Sequence, residues 1–339
     1  MQFFENYSLF PFNTFHIDVK AKLLIQLQEE AEVSGILNSS QFKDSGRRLW
    51  LGGGSNILLT GDFDGLVIKN ELKGRSIVEE AEQHVILKIA SGEDWHQTVL
   101  YAIENNWSGI ENLSLIPGTI GAAPMQNIGA YGVELQDVFY ELEAVNLATG
   151  ETQTFKKEDC EFGYRTSIFK TKLKDNIFIK SVSLKLSKFS DFNLSYRPLN
   201  DIFKDKDISN VTLKDVSDAV IQIRESKLPD PKMIGNGGSF FKNPTLSKML
   251  GKMFLEKYPE APNYQNDDGS YKIPAAYLIQ ECDWKGKRLG DAGVHHLQPL
   301  VLVNHGNASG TDILHLAKSI QKSVFERFHI RLEPEVNIF

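Results

Sequence analysis

Ser114-Leu-Ile-Pro-Gly-Thr-Ile-Gly-Ala-Ala-Pro-Met-Gln-Asn-Ile-Gly-Ala-Tyr-Gly132 is the stretch on which the reading of this chain turns. It holds four glycines and two prolines and almost no charge. Proline fixes φ and removes a donor, and glycine opens the left-handed region, so a long regular element cannot run through it. With so little charge to turn toward water, such a loop or short-helix assembly must pack against something large and apolar. Two readings follow: a buried irregular connection, or backbone wrapped around a planar cofactor.

Two further glycine clusters flank it. Arg48-Leu-Trp-Leu51 reads as a short strand running into Gly52-Gly-Gly-Ser-Asn56, with Ile57-Leu-Leu59 as a second strand. Strand, glycine turn, strand is one way to offer backbone N–H groups to a phosphate. The other is Lys227-Leu-Pro-Asp-Pro-Lys-Met-Ile-Gly-Asn-Gly-Gly-Ser-Phe-Phe-Lys-Asn-Pro244, where three prolines bar a helix or a central strand. From Arg224 to Pro244, four cations (Arg224, Lys227, Lys232, Lys242) face two anions (Glu225, Asp230), whereas the whole chain carries −7. That stretch is either a solvated connection or an anion site presenting Ser239 in front of Phe240 and Phe241.

At 339 residues the chain exceeds one ordinary core, so two or three domains are expected. The acidic balance argues against nucleic-acid and anionic-membrane partners. Cys160 and Cys282 stand far apart with no C-x-x-C, which fits a reducing compartment. The N-terminus lacks a basic, then apolar, leader, so a cytoplasmic protein is expected.

Along the chain, Leu23, Leu24, Leu27 and Ala31 predict a helix stopped by Gly35. Strands are expected at 65–68, 85–90, 142–147 and 177–186, and a helix from Asp94 ended by Asn105-Asn106. Residues 187–215 read as a polar excursion, followed by a helix over about 215–226. A strand is expected at Leu300–Val303, a long helix capped by Thr311, and a final strand carrying Leu332-Glu-Pro-Glu-Val336.

Several chemistries are excluded. G-x-x-x-x-G-K-[ST], a G-x-G-x-x-G after a strand, and H-E-x-x-H are all absent. His295-His296 are adjacent, so on a strand they face opposite ways and joint metal ligation is not expected.

Five motifs remain, in order: Gly52-Gly-Gly-Ser-Asn56, Ile116 to Gly132, Gly163-Tyr-Arg165, Gly235-Asn-Gly-Gly-Ser-Phe-Phe-Lys-Asn-Pro244 and Leu332-Glu-Pro-Glu-Val336. Together they closely resemble the UDP-N-acetylenolpyruvoylglucosamine reductase (MurB) family, type I, from about residue 12 to the C-terminus. The resemblance implies an α+β fold: a FAD-binding domain of the vanillyl-alcohol-oxidase/PCMH type made of two α+β subdomains (1–70 and 71–226), and a separate α+β substrate-binding domain (227–328). A last strand over about 329–339 would return near the active site. It implies FAD as cofactor and NADPH as co-substrate, no metal, and a monomer. The reaction would reduce UDP-N-acetylglucosamine enolpyruvate to UDP-N-acetylmuramate, a step of peptidoglycan precursor synthesis. Hydride would reach the enolpyruvyl β-carbon, charge would flow onto the carboxylate, and a placed acid would protonate the α-carbon.

By that resemblance Arg165 and Glu335 flank the substrate carboxylate and Ser239 gives the proton; burial would raise the Glu335 pKa. Flavin would be held by Gly52, Gly53, Gly54, Ser55 and Asn56, by Ile116, Pro117, Gly118, Thr119, Gly121, Ala122, Gln126, Asn127, Gly129, Ala130 and Tyr131, and by Arg165 and Arg224. Substrate would meet Tyr164, Tyr196, Lys227, Asn243 and Gln298. Ser195-Tyr-Arg-Pro-Leu199 fits the type's added segment, whose tyrosine closes over the nucleotide. The family often has Gly where Arg197 stands and Ala where Gly237 stands. The alternatives are another FAD-linked oxidase on the same scaffold, which has no need of Ser239 and Glu335 together, and a non-catalytic nucleotide-sugar sensor, which has no need of a proton donor.

Overall fold

A computed structural model describes residues 1–339 and divides into two compact units. The first comprises Met1–Tyr7, Ala21–Gly53 and Asp64–Ser226, and the second Ser8–Lys20, Gly54–Phe63 and Lys227–Phe339. Helices and mostly antiparallel sheets are segregated along the chain, so the class is α+β.

The first unit is built on two sheets. One has four strands in the order Phe3–Ser8, Lys20–Leu27, Phe63–Asn70, Arg48–Leu51. The other has five, in the order Thr152–Lys156, Phe139–Asn146, Ile177–Ser187, His84–Ala90, Arg75–Glu80. The helix Trp95–Glu104 covers the five-stranded sheet, burying Trp95 and Val99 among Leu87, Ile89, Leu142 and Leu184. Each such side chain contributes about 1.5–3 kcal/mol on burial. Asp94 caps that helix by accepting the Gln97 N–H at 2.9 Å, and Asn106 ends it at φ +57, as the sequence predicts.

The helix expected at Leu23 to Ala31 is instead the strand Lys20–Leu27. Leu24, Ile25 and Leu27 are all fully buried, and where a strand is covered on both faces its apolar residues run together, as Leu23-Leu-Ile25 does here, which imitates a helical stripe. The helix starts later, at Glu32–Asn38, and Gly35 lies inside it. Three strands of these two sheets leave no trace in the sequence reading: Phe3–Ser8, Arg75–Glu80 and Thr152–Lys156. All three are sheet edges and none has a fully buried residue, so no apolar alternation marks them.

The polar excursion folds onto a small core of its own. Leu199 and Phe203 of the helix Arg197–Phe203 pack on Val216, Val220 and Ile223 of the helix Leu213–Glu225.

In the second unit an antiparallel sheet runs in the order Gly235–Ser239, Val301–Asn304, Ala292–Val294, Arg288–Leu289. The proline- and glycine-rich stretch thus holds a strand, at the sheet edge where such residues are tolerated. The long helix is Gly310–Phe328, and its cap is Ser309 rather than Thr311. Ser309 Oγ accepts the Asp312 N–H at 3.2 Å and Asp312 takes the Ser309 N–H at 2.9 Å, a closed capping box. Leu332–Val336 is not a strand. Pro334 has no donor, and only a bridge to Phe241 forms there. The last strand is Asn337–Ile338, parallel to Ile57–Leu58. No helix of the structure is long and apolar enough to cross a membrane.

Candidate active site

In the first unit the glycine runs meet backbone to backbone. A Cβ on Gly53 would stand 2.9 Å from Gly118 Cα, and one on Gly52 would stand 2.4 Å from Thr119 Oγ1. Ile116 and Pro117 lead into that contact. Gly121 is pressed as closely on Ser91, and Gly121 and Ala122 lie in the short helix Ile120–Ala122.

Downstream, Asn127 is fully buried at φ +45 and ties three segments. Its Nδ2 donates to Glu134 Oε2 at 2.7 Å and to Gly163 O at 3.4 Å, and its Oδ1 accepts the Gln136 N–H at 3.0 Å. Asn127 therefore acts as a structural knot. Lys170 donates to Gln126, and Ser167 to Met125 O, so the loop before Gly129 is stitched to the segment carrying Arg165. Arg165 itself sits at φ +54 and donates to Gly129 O at 2.9 Å, with Tyr164 5.7 Å from its guanidinium carbon. Leu115, Asn127, Tyr131 and Arg165 all hold left-handed backbone, at a cost of about 1–2 kcal/mol for each but the asparagine, which visits that region readily.

Arg224, in the last turn of the helix Leu213–Glu225, bonds Tyr131 and lies near enough to Arg165 for the two cations to repel. Burial, chiefly, and then Arg165 lower its pKa, though a guanidinium stays charged. Burial raises the Tyr131 hydroxyl, against the pull of Arg224. Tyr196 stands edge-on to Tyr131, ring centroids 5.4 Å apart. Two guanidiniums flanked by tyrosines suit an anionic, partly aromatic ligand.

In the second unit Ser239 and Glu335, distant in sequence, lie on paired segments. Glu335 N–H donates to Phe240 O at 2.8 Å and Lys242 N–H to Glu333 O at 2.9 Å. Asn56 joins them, its Nδ2 donating to Glu335 O at 3.4 Å. Gly54, at φ +65, approaches so closely that a Cβ would fall 1.9 Å from Phe12 O, and Ser55 follows it. Gly237 leaves room for the Phe15 ring, which a Cβ would meet at 2.6 Å; here the family's alanine would not fit unless Phe15 moved. Asn243 spends its Oδ1 on the Ala275 N–H, leaving its amide N–H groups for a ligand. Gln298 lies in a turn held by His295, whose Nδ1 accepts its N–H at 3.4 Å. Lys227 is exposed.

The comparisons with known proteins agree with one another. The description "UDP-N-acetylenolpyruvoylglucosamine reductase, C-terminal domain" matches residues 230–339, and "FAD binding domain" matches residues 21–156. UDP-N-acetylenolpyruvoylglucosamine reductase of Flavobacterium johnsoniae is 49% identical over 100% of both chains. That of Amoebophilus asiaticus is 46% identical over 98% of each. The chain belongs to the UDP-N-acetylenolpyruvoylglucosamine reductase family. The crystal structure of the reductase from Thermus caldophilus, 21% identical, superimposes with a TM-score of 0.68 over 100% of this chain and 98% of that one. A solvent-stable cholesterol oxidase, 10% identical, follows at a TM-score of 0.50 over 98% of this chain and 86% of that one, a likeness of fold.

For a reductase of this family the first unit has the fittings a flavin nucleotide requires. Thr119 Oγ1 and Arg224 Nε are buried donors without hydrogen-bond partners, and Gly52 and Gly53 let the two glycine runs close on each other with no Cβ between them. Gly53→Ala is expected to force the two glycine runs apart and yield colourless protein that retains its fold. Flavin absorbance per chain after purification, with a circular-dichroism spectrum, checks it.

His96 was invisible to sequence reasoning. Its Nδ1 accepts the Leu115 N–H at 3.0 Å and so helps hold the strained start of the loop. Burial, chiefly, and the Arg224 charge lower its pKa, while Asp94 raises it. The unfolded chain, titrating near about 6.5, therefore takes up a proton before the folded one does. Stability is full above that value and falls with pH until the folded histidine itself titrates. A midpoint of thermal unfolding that drops between about pH 7.5 and pH 5, and drops less in His96→Gln, is expected.

Proposed function

We propose that this reductase converts UDP-N-acetylglucosamine enolpyruvate to UDP-N-acetylmuramate at the expense of NADPH, as a cytoplasmic step of peptidoglycan precursor synthesis. Bound FAD supplies the means of accepting hydride from a reduced nicotinamide and giving it to an electron-poor carbon. The chain's own residues do the rest. Arg165 offers a permanent charge and forked donors to the substrate carboxylate, where negative charge develops. Ser239 delivers its hydroxyl proton to the α-carbon; a serine is a poor acid, but an enediolate is a strong carbon base. Glu335 flanks the same carboxylate, where stabilising an anion requires that it be protonated or share a proton. Lys227 offsets the diphosphate, the Asn243 amide N–H groups and Gln298 hold the nucleotide end, and Tyr164 and Tyr196 line the substrate. In this reading residues 1–70 and 71–226 are the flavin subdomains and 227–328 the substrate domain.

One observation carries the reading: the pairing of the Glu335 N–H with Phe240 O at 2.8 Å, which sets the proposed acid and the proposed carboxyl group on adjacent segments. A sugar oxidase or a sensor requires no such pair. Purified protein should be yellow and should oxidise NADPH only when the enolpyruvyl UDP-sugar is present. NADPH oxidation independent of that substrate overturns the assignment.

A further inference from the structure

The excursion after Ser187 is tied to the loop ending at Gly132 by one buried amide. Asn112 is 1% exposed, and its Nδ2 donates to Tyr131 O at 2.9 Å and to Asn193 O at 2.8 Å. Asn193 answers with a bond of its own, Nδ2 to Gly132 O at 2.8 Å, and its Oδ1 accepts from Ser195 Oγ at 2.7 Å. Tyr196 comes next in the chain, its ring edge-on to that of Tyr131 at 88°. One loop carbonyl, Tyr131 O, and one excursion carbonyl, Asn193 O, are thus gathered on the Asn112 side chain, shortly before the tyrosine proposed to meet the nucleotide.

The amide also carries a cost. Asn112 Oδ1 is buried without a hydrogen-bond partner, and a buried acceptor left unmade destabilises the fold. Turning the amide over would aim that oxygen at two carbonyls, which is worse, so the orientation is forced. A polar group kept at such a cost points to a role other than holding the core together.

We propose that Asn112 is a positioning residue for substrate binding, clasping the excursion to the flavin loop so that Tyr196 stands over Tyr131, with Asn193 as the other half of the clasp. This rests on the reading of Tyr196 as a substrate contact. Asn112 touches neither substrate nor cofactor and acts through the tyrosines.

Asn112→Asp keeps the shape but replaces both donors with a carboxylate oxygen facing two carbonyls. Asn193→Ala removes the answering bond from the more exposed side, and it carries the test if the first variant does not fold. In either variant the KM for the enolpyruvyl UDP-sugar is expected to rise about tenfold, while flavin reduction by NADPH stays within about twofold. Trypsin should also cut the ligand-free variants faster at Lys204 and Lys206. Combining Asn112→Asp with Tyr196→Ala should raise the KM little beyond Tyr196→Ala alone, since both act on one contact. Wild-type KM and cleavage rate in both clasp variants, with a raised KM in Tyr196→Ala, would overturn the clasp and leave the tyrosine's role standing. An unchanged KM in Tyr196→Ala would overturn the tyrosine's role and the clasp's role in binding with it.

Discussion

Ser239→Ala is expected to leave flavin reduction by NADPH nearly intact and to slow reduction of the enolpyruvyl substrate by at least ~10²-fold, the lower end for loss of a general acid. The substitution is mild for the fold. Ser239 ends the edge strand Gly235–Ser239, is only half-buried, and its backbone pairing with Val301 involves no side-chain atom. Phe240 and Phe241 behind it are fully buried and carry the packing. What disappears is one hydroxyl proton, required only after hydride has arrived. Stopped-flow measurement of the two half-reactions separates the steps, and equal slowing of both would reject Ser239 as the acid.

Arg165→Ala is expected to cost about 10²–10³ in the substrate half-reaction, comparable with removing a donor aimed at developing charge. The backbone complicates this little. Arg165 sits at φ +54, and alanine is strained there as arginine is, so the comparison reports mainly the side chain. Its bond to Gly129 O at 2.9 Å is lost too, so flavin affinity should weaken modestly, which is measurable as flavin released on dilution. Arg165→Lys should recover only part of the rate, because an ammonium keeps the charge without the fork. Full activity in Arg165→Lys would show that charge alone suffices.

How much was legible beforehand varies by segment for physical reasons. The glycine motifs announced themselves because close backbone approach admits nothing larger: Gly53 against Gly118 and Gly54 against Phe12 are needs of position that composition reveals. The helices from Asp94 and over Leu213–Glu225 were legible because one face is wet. Lys20–Leu27 misled because the neighbours Leu24 and Ile25, on opposite faces, are both fully buried, and the edge strands hid because both faces are largely wet. Asn127, Asn112 and His96 show a different limit. Each serves by bonding backbone carbonyls or N–H groups from segments far off in the chain, and no local pattern states where those segments will lie. Glu335 stood out only through family resemblance, since a lone glutamate has no period to reveal it; Ser239 was marked by its glycine-rich, cationic stretch, and only the resemblance gave it a role.

The most direct test takes protein reduced in the absence of oxygen and titrates it with the enolpyruvyl UDP-sugar. The account predicts that oxidised flavin absorbance returns with one lactyl ether formed per flavin reoxidised. Reduced flavin that persists in the presence of that substrate, and reoxidises only when air is admitted, would contradict it.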